Sequence, residues 1–249
     1  MTQRSITLDA IKGGLVLAMI AYHACYVAVM FGLSGIELYR GFWWAFPRAI
    51  AAGFISVSGW NLAAKRARGA GFDAFARRAG MLALVALAIS AATWPVLGKG
   101  FVFFGVIHLL ALSSLLAYPL LGRPVAAALT GMALMISGIA LAKLRFEFAW
   151  LAWLGLRPLD LYPADYLPLA PWFAFIAFGS AARDALRGRL SGDSASPQDQ
   201  KRQLRPSKVP PAILRLLAAT GRRSLIVYLA HLPLLYGLGW AIATIKGRA

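Results

Sequence analysis

The sequence predicts an all-α fold: a polytopic integral membrane bundle of about seven transmembrane helices, with the N-terminus cytoplasmic. Three observations predict it. Hydrophobic residues make up 60% of the 249 residues and charged residues only 14%, against roughly 45–50% and 25% in an ordinary globular domain. Seven stretches are apolar over close to the ~20 residues that a membrane-crossing helix needs. The basic residues fall between those stretches, not along one solvated face.

Taken in order, the stretches are Leu8–Met30, Trp43–Ala64, Gly80–Leu97, Phe101–Leu121, Val125–Leu141, Tyr166–Ala182 and Ser224–Ile245. The first is too long for a signal-peptide core and no cleavage site follows it, so it reads as a retained helix. The third, fifth and sixth are short but sufficient. WLAWLGL, beginning at Trp150, reads as an interfacial turn of helix, with a buried re-entrant piece as the alternative. Lys65, Arg66, Arg68, Arg77 and Arg78 separate the second and third stretches, and ten Lys/Arg lie between Arg183 and Arg223. Seven crossings put both loops on one side, and enrichment in Lys and Arg assigns that side to the cytoplasm. Trp43, Trp44, Trp94, Trp150, Trp153 and Trp240 then gather at the outer interface, where tryptophan belts form. Lys143, Arg145, Arg157, Lys246 and Arg248 stand outside, against the bias. Residues 1–249 read as a single domain with a flexible basic cytoplasmic loop over 183–212, whose centre, GRLSGDSASPQDQKRQLRPSKVPP, is polar and contains proline.

The formal charge of +17 suits anionic lipid headgroups, so membrane lipids are expected partners and nucleic acid is not. The single cysteine, Cys25, excludes an intramolecular disulfide and reads as a small hydrophobe within a span. No Gly-rich phosphate loop, HExxH, CxxC or GxSxG occurs. No metal is expected.

Ionisable groups inside membrane spans are costly and mark functional sites, and all three histidines of this chain sit in apolar stretches. His23 lies about 22 Å along the first helix, in the outer third of a ~30 Å core. His108 lies roughly 10 Å below Phe101, and Arg48 roughly 8 Å below Trp43. Asp165 and Tyr166 stand at the outer mouth of the sixth stretch, in LYPADYLPLAPWF. His231 lies roughly 12 Å from Arg223, toward the cytoplasm. Asp9 and Lys12 share a helix face near the inner surface. Each feature also has a purely structural reading. A membrane histidine can serve as a helix–helix hydrogen bond, Arg48 can snorkel, Asp9 can cap the first turn, and the prolines around Asp165 can shape a helix entrance.

Five stretches taken together, LDAIKGGLVLAMIAYH, FWWAFPRAIAAGFISVSGWNL, FGVIHLLALSSLLAYPLL, DYLPLAPWFAFIAFG and GRRSLIVYLAHLPLL, carry a resemblance that covers nearly the whole chain. The sequence resembles the bacterial branch of the heparan-alpha-glucosaminide N-acetyltransferase catalytic-domain family, which belongs to the polytopic membrane acyltransferases. The resemblance implies acetyl transfer from cytosolic acetyl-CoA to an acceptor across the membrane, a bacterial inner membrane location and, by analogy, a homodimer. Two departures accompany it. Lys12 stands where the family usually carries arginine, and the long luminal segment that holds the lysosomal enzyme's implicated histidine has no counterpart. That enzyme also lacks histidine at the positions matching His23 and His108.

Acyl transfer needs a base for the acceptor's proton, and a positioned histidine contributes about 10²–10⁴-fold. His108 and His23 are therefore the expected catalytic residues, as base or as base and orienter. Arg48 would stabilise a developing oxyanion, and Arg48, Asp165 and Tyr166 would bind a saccharide or glycoconjugate acceptor. Lys12, Arg222, Arg223 and His231 would hold the acetyl-CoA co-substrate. A proton-coupled transporter or flippase uses the same residue types at several depths, and a non-catalytic assembly protein would use them only to hold helices together.

Overall fold

The structure is a computed structural model that describes residues 5–160, 162–192 and 211–247. These residues form α1 (Ile6–Met30), α2 (Gly41–Arg66), α3 (Phe72–Leu97), α4 (Val106–Leu116), α5 (Pro124–Leu141), α6 (Leu169–Gly192), α7 (Ala212–Arg222) and α8 (Ser224–Ile245). No strand occurs among the described residues, only two isolated bridges, Phe104 with Tyr166 and Phe146 with Pro158. Four helical segments, Ile6–Met30, Phe72–Gly100, Pro124–Leu141 and Ser224–Ile245, are long and apolar enough to cross a membrane. The protein is an all-α integral membrane protein.

Helices occur within all seven expected stretches, but the fourth needs correction. In place of a span over Phe101–Leu121, α4 has 11 residues, about 16 Å at 1.5 Å each, roughly half a hydrocarbon core. Its N-terminal approach leaves the helix because the backbone is tied elsewhere. Ala164 donates to the Gly100 carbonyl at 2.8 Å and Leu167 to that of Phe104 at 2.9 Å. Its C-terminal end turns into a 3₁₀ segment, Tyr118–Leu120, where Pro119 has no N–H to continue the ladder. The region at Trp150 contains a 3₁₀ turn, Ala152–Leu154, with Ala152 buried. Helix α6 extends to Gly192, so the stretch expected as a loop from residue 183 begins as helix. Residues 193–210 of that expected loop lie outside the described residues.

The chain forms two compact units, residues 1–54 with 201–249, and residues 55–200. Glycines set the packing in each, as expected where backbones must approach closely without a water-driven hydrophobic force. In the first unit α7 runs antiparallel to the start of α1. A Cβ on Gly13 would strike the Leu217 carbonyl, and one on Gly221 the Asp9 carbonyl. Helix α8 runs in the same sense as α1, with Gly239 against Val27 and Phe31 and the Tyr236 hydroxyl 3.0 Å from Met30 Sδ. In the second unit α6 meets the C-terminal half of α2 reciprocally, Gly59 on the Ile176 carbonyl and Gly179 on that of Ser56. Gly131 and Gly138 of α5 pack on Phe178 and Pro171 of α6.

Candidate active site

The first unit brings two histidines together. Phe31 packs on Gly239, and eight residues earlier on each helix stand His23 and His231, about 12 Å further down both axes. Their rings meet edge to face with centroids 4.9 Å apart, and His23 Nδ1 lies 3.3 Å from His231 Nε2. The expectation that His231 sits at a different depth from His23 is therefore corrected. Counting rise from each helix's own start carries no information on the register between helices, which the Gly239 contact sets.

Carbonyl oxygens fix the tautomers, because they only accept. His231 Nδ1 is 2.6 Å from the Tyr228 carbonyl and must donate to it. In the neutral ring its Nε2 is then an acceptor. His23 Nδ1 lies 2.9 Å from the Met19 carbonyl, so its proton is shared between that carbonyl and His231 Nε2. This leaves the lone pair of His23 Nε2, which has no hydrogen-bond partner among the described residues. Tyr22 packs edge-on against His23 at 5.4 Å and also touches Trp43 and Phe46 of α2, so an aromatic wall flanks the pair. The geometry is that of a proton acceptor oriented by a second imidazole.

His108 belongs to the second unit, and both of its nitrogens are occupied. It is the third residue of α4, and Gly105 N–H donates to its Nδ1 at 3.3 Å. Its Nε2 faces Ser90 Oγ at 3.1 Å, and that hydroxyl donates to the Val102 carbonyl at 2.6 Å. His108 thus closes a helix N-terminus and pins the non-helical segment before it. Asp165 acts on the same turn, its carboxylate accepting from Val106 N–H at 3.0 Å. The Tyr166 hydroxyl donates to the Ala152 carbonyl at 2.7 Å.

Arg48, in the first unit, donates to the Trp44 carbonyl at 2.6 Å and stacks 4.0 Å from that ring's centroid; it is exposed. Lys12 is half-buried one turn from buried Asp9, and Arg222 and Arg223 are exposed at the α7–α8 junction. One polar cluster escaped the sequence reading. Arg78, counted above as a loop charge, is a residue of α3. Its Nε reaches Ser114 Oγ of α4 at 3.1 Å and its Nη2 reaches Ser58 Oγ of α2 at 3.3 Å. Three helices converge on it. The serines at helical positions of otherwise apolar stretches were the available signal.

Glycine-packed helices, with four helical segments among the described residues long and apolar enough to cross a membrane, place the chain in the class of polytopic helical membrane proteins. Residues 4–233 match the family described as Heparan-alpha-glucosaminide N-acetyltransferase, catalytic, and the chain belongs to that family, a family of membrane acetyltransferases. No curated protein matches the chain, and no solved structure does.

Proposed function

We propose that this protein transfers an acetyl group from cytosolic acetyl-CoA to an amine or hydroxyl of a saccharide or glycoconjugate at the outer face of a bacterial inner membrane, with its N-terminus in the cytoplasm. The observation that carries the reading is the His23–His231 contact at 3.3 Å in a chain of this family.

In the reaction the acceptor's nitrogen or oxygen attacks the thioester carbonyl carbon. His23 Nε2 takes the proton that the acceptor loses. The new C–N or C–O bond forms as the C–S bond breaks, and the CoA thiolate leaves with the proton returned by the imidazolium. His231 holds His23 in the tautomer that exposes Nε2, and its own Nε2 accepts the hydrogen bond from Nδ1–H as positive charge develops. Base and orienter are thus His23 and His231, and His108 contributes by fixing the α4 entrance. Lys12, Arg222 and Arg223 would attract the phosphates of acetyl-CoA on the basic side. Exposed Arg48 would receive the acceptor.

The test uses inverted vesicles supplied with labelled acetyl-CoA on the exposed cytoplasmic face. His23→Gln is expected to lower label transfer to lumenal glycans or lipids by about 10²–10⁴-fold. His231→Gln should lower it by less, and His108→Ala should reduce thermal stability more than rate per folded molecule. Full-rate transfer by His23→Gln would sink the assignment. Proton-coupled flux without acetyl-CoA consumption would establish a transporter instead.

A further inference from the structure

We propose that Arg78, with Ser58 and Ser114, forms a binding site for a phosphate ester at the basic end of the second unit. Arg78 holds unused hydrogen-bond donors among the described residues. A guanidinium carries five N–H groups, and the hydrogen bonds of Arg78 among the described residues are one from Nε and one from Nη2, both to neutral hydroxyls. Its Nη1 has no partner among them. Ser58 is buried, accepts from Arg78, and has no acceptor for its own proton among the described residues. Ser114, fully buried, gives its proton to the Leu110 carbonyl and accepts from Arg78 Nε, which fixes the guanidinium.

The same unit shows what a neutralised arginine looks like. Arg183 is buried and paired at 2.6 Å with Asp184, whose second oxygen accepts from Gly122 N–H. No described carboxylate pairs with Arg78. Two of the neighbouring cations are already engaged. Lys65 donates to the Ala74 carbonyl and lies over the Phe75 ring, and Arg66 donates to the Ala70 carbonyl and lies over Tyr118. Between Lys65 and Arg78 five cations accompany one carboxylate, the exposed Asp73. A half-buried, rigidly held guanidinium with free N–H groups, a free hydroxyl beside it and surplus positive charge around it matches a tetrahedral oxyanion with several acceptor oxygens. That describes a phosphate ester better than a carboxylate. A soluble ester such as a nucleotide-like co-substrate and a lipid headgroup share this chemistry. The inference does not depend on acetyl transfer.

The full-length protein would be purified in phosphatidylcholine nanodiscs and titrated with inorganic pyrophosphate, coenzyme A and, as a carboxylate control, succinate. A parallel arm would compare nanodiscs containing phosphatidylglycerol. Arg78→Gln is expected to weaken the response by at least roughly tenfold, about 1.4 kcal/mol, with Ser58→Ala weakening it less. Circular dichroism and elution would confirm folding. If Arg78→Gln fails to fold, Arg78→Lys and Ser58→Ala carry the test. An Arg78-dependent response to pyrophosphate or coenzyme A supports a soluble ester, and one seen only with phosphatidylglycerol supports a headgroup. Equal responses to succinate, or no probe whose binding depends on Arg78 or Ser58, would overturn the proposal. Acetyl transfer measured on the same variants separates the two readings. Pyrophosphate binding that depends on Arg78 in a protein without transferase activity sinks only the acetyltransferase. Transfer and binding that ignore Arg78 sink only this site.

Discussion

Replacing Gly239 by alanine perturbs the imidazole pair without touching it. The added Cβ would lie 2.5 Å from Val27 Cγ1 and 2.9 Å from the Phe31 ring. Carbon atoms rest at about 3.5–4.0 Å, so α8 must withdraw from α1 by about 1 Å. Moved as a rigid body, it carries His231 Nε2 from 3.3 Å to about 4.3 Å from His23 Nδ1, beyond hydrogen-bond range. His23 would then lose its orienter, and a misplacement of this size costs on the order of 10²-fold in rate. Overpacking should also cost about 1–3 kcal/mol of stability. Label transfer from acetyl-CoA per folded molecule, with thermal unfolding measured in parallel, reads both effects. Adding Val27→Ala removes the closest clash and should restore part of the rate. A Gly239→Ala protein that works at the wild-type rate, or a double variant no better than the single, would refute the claim that this contact sets the register of the pair.

Other outcomes follow from single contacts. Asp165→Ala removes the carboxylate that accepts from Val106 N–H, and should cost about 0.5–2 kcal/mol, as loss of a helix N-terminal partner does, read as a lower Tm. Ser90→Ala takes away the hydroxyl between His108 and the Val102 carbonyl; the buried groups left unpaired should cost about 1–3 kcal/mol. Asp184→Ala strands Arg183, whose side chain is only 8% exposed, and should cost about 3–5 kcal/mol, whereas Arg183→Met with Asp184→Leu should be far milder. Denaturant titration of the purified protein distinguishes the two, and equal losses would show that the pair matters for more than charge.

The helices were legible because hydropathy is local: α1, α3, α5 and α8 announce themselves in about 20 residues each. The shortness of α4 was not, because its N-terminal end is decided by hydrogen bonds from residues 164 and 167 to carbonyls of residues 100 and 104, some sixty positions away. His108 illustrates the ambiguity of an intramembrane histidine. Its type and setting suggest chemistry, while Gly105 and Ser90 occupy both nitrogens. Arg78 went unnoticed for the opposite reason, since a basic residue near a loop reads as a topology signal until Ser58 and Ser114 are seen to meet it.

By itself, then, the sequence determined the membrane environment, the all-α class, the family resemblance and the short roll of polar residues from which a site must be drawn. Apolar content and residue identity suffice for these, because they are sums over contiguous chain. Only the tertiary structure decided that His23 partners His231, 208 positions away, leaving Nε2 of His23 without a hydrogen-bond partner among the described residues. That choice rests on helix register. Register is set where missing side chains let backbones close, at Gly239 against Val27 and Phe31, and a glycine among apolar residues gives no sign in the sequence of which helix it will meet.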